Sequence, residues 1–141
     1  MLKLPRIQFV IDTNVWLELL LEQERAPEVS EFLRKVNPRS VAITEFAVYS
    51  IGVILIRLKK PDLFVEFIDD IVRKSEAQVI RLSLYALTKV IESHRQFNLD
   101  FDDSYQYAVA KIHGIPLISF DRDFKRTDIN VLTPAEAIRD A

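Results

Sequence analysis

The stretch "FVIDTNVWLELL", residues 9–20, decides how the rest of the chain is read. Phe9-Val10-Ile11 closes an apolar run that suits a buried strand. Asp12-Thr13-Asn14 ends that run abruptly. From Val15 to Glu24 the apolar residues recur at helical spacing. A strand passing directly into a helix is the first half of a strand–helix–strand unit, so helices and a parallel sheet are expected downstream. A carboxylate at that junction either caps the helix or holds something charged.

The chain beyond repeats this alternation. Pro27 suits the first turn of a second helix, with Val29, Phe32, Leu33 and Val36 as its stripe, and Pro38 stops it. A short strand at Ser40–Ile43 leads into an apolar helix from Thr44 to Leu58. Pro61 opens another helix, residues Val79–Leu82 read as a strand, and Leu84–Phe97 read as a helix with Leu87, Val90 and Ile91 inward. Asp102–His113 is the next helix, closed by Gly114. Pro116–Phe120 and Ile129–Leu132 are strands, and Thr133-Pro134-Ala135-Glu136 starts a last helix with a cap and a carboxylate three residues on. The expectation is an α/β fold with three layers: a central, mostly parallel sheet of four or five short strands flanked by helices, in one domain spanning residues 1–141.

Composition narrows the function. Hydrophobic residues make up 49% and charged residues 28%, as in globular domains, and 2 Gly and 6 Pro argue against an all-β fold with many tight turns. The net charge of −2 gives no global field to draw in nucleic acid, so a polyanionic substrate needs a local basic patch or bound cations. With no Cys there is no disulfide framework, thiolate zinc site or cysteine nucleophile. Met1-Leu2-Lys3-Leu4-Pro5-Arg6 is too short and too soon interrupted for a signal peptide. The apolar region 41–58 is broken by Thr44, Glu45, Ser50, Gly52 and Arg57, which suits a buried or interface helix and not a membrane span. A cytoplasmic protein is expected.

Acids recur where strands end. Asp12 follows the first strand, Glu45 the second, Asp102 and Asp103 start the helix before the fourth, and Asp121 and Asp123 follow "LISF". In a parallel sheet these positions converge beyond the carboxyl ends of the strands. Taken singly, each acid has a plainer role as an N-cap or as a partner of the helix dipole. Together they would repel one another unless a cation neutralised them. An oxygen-only cluster favours Mg²⁺ or Mn²⁺, and such ions activate water for in-line attack on a phosphodiester. Arg122, Lys125 and Arg126 stand beside Asp121 and Asp123 as candidate phosphate contacts. Trp16 is expected in the core, with base stacking as its alternative use, His94 as a solvated helix residue, and His113 near a helix end. The apolar 48–58 stretch is expected as core, with a homodimer face as its second use.

Four segments, "IDTN" (11–14), "ITEF" (43–46), "FDDSYQYAVA" (101–110) and "SFDRDF" (119–124), stand in the order found in PIN-domain nucleases, and the sequence resembles that family from Phe9 to Val131. The family includes many VapC-type toxins of bacteria and archaea. The resemblance implies that Asp12, Glu45, Asp103 and Asp121 form an acidic quartet binding Mg²⁺ or Mn²⁺, with Asp123 an accessory acid. Thr13 or Asn14 matches the family's polar orienter and Ser119 its hydroxyl beside the last acids. Asp103 is preferred to Asp102 because Tyr107 and Ala110 then share its face, with Val109 and Ile112 inward. The implied activity is a metal-dependent endoribonuclease, the toxin of a toxin–antitoxin pair, with RNA as substrate, an antitoxin protein as partner and a homodimer as assembly. Two departures stand out: the early acid sits in "TEF", and basic residues are few. The rivals are an inactive PIN-like scaffold that binds RNA or protein, and a haloacid-dehalogenase-type phosphatase suggested by Asp121-Arg122-Asp123.

Overall fold

A computed structural model describes residues 6–139. The first five residues, and with them most of the segment weighed as a signal peptide, lie outside the described residues. The strands are β1 (Phe9–Ile11), β2 (Val41–Thr44), β3 (Gln78–Ile80), β4 (Leu117–Ile118) and β5 (Val131–Leu132). The helices are α1 (Thr13–Leu20), α2 (Ala26–Lys35), α3 (Glu45–Arg57), α4 (Pro61–Phe67), α5 (Leu87–Phe97), α6 (Phe101–His113) and α7 (Pro134–Arg139). A π turn, Ile68–Lys74, continues α4, and short 3-10 turns at Pro38–Ser40 and Arg122–Arg126 complete the set.

All five strands run parallel, in the order β3-β2-β1-β4-β5. The chain lays down β1, β2 and β3 outward in one direction, then returns to place β4 and β5 on the other side of β1. The order therefore reverses between β1 and β4, and a crevice opens there at the carboxyl ends. Asp12 follows β1 and Asp121 follows β4, so the topology alone brings the first and last acids to that crevice.

Helices cover both faces, and a hydrophobic core lies on each side of the sheet. One gathers Ile11, Trp16, Phe32, Ile43, Ile51, Leu55 and Phe67; the other gathers Val10, Val90, Leu99, Tyr107, Leu117 and Phe124. Trp16 is 1% exposed and meets Phe67 edge-on at 5.6 Å, so it packs in the core and offers no face for a base. Full burial of a large apolar side chain is worth roughly 1.5–3 kcal/mol. α7 starts with a capping box: the Thr133 hydroxyl accepts from the Glu136 amide at 3.2 Å, and Glu136 Oε1 accepts from the Thr133 amide at 3.0 Å.

Several local expectations shift. α5 begins at Leu87, and Leu84 and Tyr85 stand exposed in the preceding turn. Ile91 and Ile112, expected inward, are largely exposed: α5 buries Val90 and Ser93, and α6 is buried all round over 104–110 but emerges before Ile112. The third strand closes at Ile80, and the Leu82 amide instead donates to the Tyr105 hydroxyl at 2.9 Å. His94 is not merely solvated: its Nδ1 lies 2.6 Å from the Leu99 carbonyl oxygen, across the left-handed turn at Asn98. In α3, Ala47, Ile51 and Leu55 are core, whereas Tyr49, Val53 and Ile56 face solvent. No described helix is long and apolar enough to cross a membrane.

Candidate metal centre

Each acid is placed by the element that carries it. Asp12 is extended (φ −70°, ψ 155°) as the N-cap of α1, and its Oδ1 accepts from the Thr13 amide at 2.9 Å. It also reaches across the sheet: Oδ2 accepts from the Ser119 hydroxyl at 2.8 Å, and Oδ1 from Gln106 Nε2 at 3.2 Å. Only 4% of Asp12 is exposed. Burial pushes its pKa up; the hydrogen bonds from Ser119, Gln106 and Thr13 pull the other way. Cap and site residue are thus the same side chain.

Asp121 caps the 3-10 turn that follows it, its Oδ1 accepting from the Asp123 amide at 2.9 Å. Asp103 lies in the first turn of α6. Carboxylate oxygens of Asp103, Asp121 and Asp123 come within 4.8 Å of one another, a spacing one cation can bridge. Burial, then the charges of Asp12, Asp121 and Asp100, raise the Asp103 carboxyl to about 8. The Asp100 side chain also lies within hydrogen-bonding reach of Asp103, although it caps none of the α6 amides. Asp12, Asp100, Asp102, Asp103 and Asp121 line one cleft of 310 Å³, with Thr13, Asn14 and Gln106. An oxygen-only donor set in which neighbouring carboxylates keep the proton on Asp103 fits a hard divalent cation, which removes that repulsion.

The supporting residues fall into place around the acids. Asn14 Nδ2 donates to Ser119 Oγ and its Oδ1 accepts from the Phe120 amide, both at 3.4 Å. The Ser119 oxygen also accepts from the Asp121 amide at 3.0 Å. Thr13 contributes its amide and lines the cleft. Glu45 is not brought into the acid group. It opens α3 half-buried, and its Oε1 accepts from the Tyr49 hydroxyl at 2.9 Å, four residues along the same face. Residues Phe46, Ser50 and Ile54 of α3 face the cleft instead.

The basic residues divide. Arg122 and Lys125 line a second cleft of 210 Å³ with Arg25, Ser119, Phe120 and Thr133. Asp121 lines both clefts and forms the wall between them. Arg126 turns the other way, donating to the carbonyls of Asp123 and Asn98 at 3.3 Å each. Farther along, Asp128 takes the Tyr107 hydroxyl and the Lys111 ammonium, the latter at 2.9 Å. Phe124 is fully buried between these anchors, so the turn that carries Arg122 and Lys125 is held at both ends.

Sequence reasoning missed two residues. Gln106 looks like an ordinary polar position within a helix. Arg25 stacks on Phe120 with its guanidinium carbon 3.9 Å from the ring centre, and pairs with Glu28 at 3.0 Å. Nothing at positions 25 or 106 signals partners so distant in sequence.

Comparison with known proteins gives the same frame. The PIN domain family model matches residues 9–130. No match was found among curated protein sequences. Among solved structures, the FitAB complex bound to a DNA fragment aligns with a TM-score of 0.77 at 19% identity, over 91% of this chain and 96% of that one. A VapC20 toxin from Mycobacterium tuberculosis that cleaves the sarcin-ricin loop gives 0.73 at 18%, over 84% and 93%. A toxin–antitoxin complex from Klebsiella pneumoniae gives 0.71 at 21%, over 92% and 99%. At such identities the likeness speaks for the fold, and the match across the acids carries the rest: this chain belongs to the PIN domain family.

Proposed function

We propose that the protein is a divalent-metal-dependent endoribonuclease in which Asp12, Asp103, Asp121 and Asp123 hold Mg²⁺ or Mn²⁺. The observation that carries the reading is the grouping of Asp103, Asp121 and Asp123 beside buried Asp12, at the reversal of strand order. A cation held by these residues would offset the repulsion among their carboxylates, and would supply activation of water and neutralisation of phosphoryl oxygens. The chain's own part is to hold that charge rigidly. Ser119 and Gln106 fix the Asp12 carboxylate, Asn14 holds Ser119, and the 3-10 turn holds Asp121 and Asp123 on one side of the cleft. Arg122 and Lys125, beyond Asp121, receive a phosphate next to the scissile one along the RNA strand.

The neighbours that are toxins or toxin–antitoxin complexes support a toxin role with an antitoxin protein as partner; a cytoplasmic location and one domain over residues 1–141 belong to the same proposal. A homodimer is supported by an exposed groove lined by Tyr49, Gly52, Val53, Ile56, Arg57 and Phe64, with almost no polar surface. Glu45, tied to Tyr49, is the feature that favours the rival reading of a scaffold that binds RNA without cutting.

One assay separates the two: cleavage of single-stranded RNA with Mn²⁺, with EDTA, and with Asp12→Asn. Cleavage that needs Mn²⁺ and is lost in the variant supports the nuclease. Binding without cleavage under every condition overturns it. A gene for a small DNA-binding protein immediately upstream would support the toxin role; its absence removes that label and leaves the nuclease.

A further inference from the structure

The structure assigns Gln106 a positioning role: it fixes Asp12 so that this acid can offer a cation one oxygen, Oδ2, and no more. The inference rests on the reading that the acids hold a divalent cation, and it concerns the aim of one ligand within that site.

Gln106 lies three residues after Asp103 on α6 and is 2% exposed. An amide so deeply buried must find partners for both its ends. The Asp12 carboxylate, which only accepts when ionised, settles which end points where. The Nε2 end must face β1, where it donates to Asp12 Oδ1, and Oε1 then faces β2. Thr44 Oγ1 caps α3 by accepting from the Ala47 amide at 3.0 Å, so its own proton is free to donate to Gln106 Oε1, at 2.8 Å. Donors therefore run in one direction from the Ala47 amide through Thr44 and Gln106 to Asp12, and such chains polarise one another.

Lone-pair counting then restricts Asp12. A carboxylate oxygen has about two acceptor positions. Oδ1 already takes the Thr13 amide and Gln106, and is full. Oδ2 takes Ser119 and keeps one position free. Without Gln106, Oδ1 would open and the carboxylate could turn about its last torsion, which is soft for Asp.

The test is Mn²⁺ affinity, read by calorimetry on the full chain without RNA. Gln106→Met keeps the length and apolar stem and removes the donor. We expect Mn²⁺ binding about 10–100-fold weaker, with kcat for RNA falling more than KM rises. A filler of volume alone would change the melting temperature in EDTA and leave the affinity of the folded protein where it was. Mn²⁺ affinity within twofold of the parent in Gln106→Met overturns the inference. Should that variant not fold, Thr44 carries the test. Thr44→Ser keeps the hydroxyl and is expected to bind as the parent does, Thr44→Val to bind several-fold more weakly; parent-like binding by Thr44→Val overturns the inference. A parent that binds Mn²⁺ but cuts no RNA ends the ribonuclease reading and leaves this one standing. A parent that binds no Mn²⁺ ends this one.

Discussion

The Ser119 hydroxyl donates to Asp12 Oδ2 at 2.8 Å while its oxygen accepts from the Asp121 amide at 3.0 Å. One small side chain thus locks the acid after β1 to the acid after β4, across the line where strand order reverses. Asp12→Asn, Asp103→Asn and Asp121→Asn should each weaken Mn²⁺ binding and cut RNA cleavage by at least about 100-fold. Glu45→Gln should do less than any of the three, because its carboxylate stands on Tyr49 outside the group. Parallel Mn²⁺ titrations of the four variants check the order. A loss in Glu45→Gln equal to that in Asp103→Asn would mean that Glu45 leaves Tyr49 to join the cation.

The site should also announce itself in the pH dependence of stability. Asp103 is raised to about 8, and Asp12 is raised as well. Between its ordinary value and 8, folded Asp103 binds a proton that the unfolded chain has released. In EDTA its stabilising contribution is therefore complete below about pH 4 and is lost as pH climbs through 8. Asp128 and Glu136, held below their ordinary values, act oppositely, with effects confined to acid pH. Urea melts in EDTA at pH 6 and 8 should show the parent losing more stability than Asp103→Asn over that interval. Saturating Mn²⁺ should abolish the difference, and Mn²⁺ affinity should itself rise with pH up to about 8. Equal slopes in parent and variant would refute the account.

Arg122 and Arg126 flank the same short turn yet should behave differently. Arg122→Ala and Lys125→Ala remove cations from the cleft next to Asp121, so each should raise KM for RNA. Each should also flatten the dependence of log affinity on log salt by about 0.7. Arg126→Ala should leave both unchanged and cost about 1 kcal/mol of stability through its lost hydrogen bonds to the carbonyls of Asn98 and Asp123. RNA binding measured across a salt series, with denaturant melts, separates the two classes.

Gly52 offers a way to close the apolar groove without touching the acids. A Cβ there would meet the Phe64 ring at 3.1 Å, so a larger side chain fills the groove and pushes the ring aside. If this face joins two copies, the parent should sediment as a dimer and Gly52→Leu as a monomer. An unchanged mass in the variant would place the interface elsewhere.

Much of this was legible in the sequence because it depends on local rules. β1 shows itself as an apolar run cut off by Asp12-Thr13-Asn14, and the same rule puts Asp121 at the end of β4. Of the two acids that the family resemblance brings in, helical geometry prefers Asp103 to Asp102, and Asp103 lies in the group while Asp102 is exposed. What stayed hidden depends on partners far along the chain. Gln106 has its meaning from residues 94 and 62 positions away. Arg126 faces a carbonyl 28 positions back, and so leaves the cleft its neighbours line. Glu45 follows the same strand-end rule, yet its carboxylate rests on the Tyr49 hydroxyl one helical turn on, a local partner that the rule takes no account of. Ile91 and Ile112 fit an apolar stripe, yet α5 buries Val90 and Ser93 beside Ile91, and α6 leaves the core before it reaches Ile112.

The turn Arg122–Arg126 is fastened at each end, to Asp121 before it and through Arg126 and Asp128 to α6 and its approach. Its two outward cations hang from a frame that does not depend on them. On the proposed reading, exchanging Arg122 or Lys125 for other residues would alter which strands are gripped while Asp121 and Asp123 keep their places. On that reading, descendants of this chain change targets in single steps while retaining the chemistry, since Asp121 and Asp123 are held by the turn's backbone and not by the two cations between and beside them.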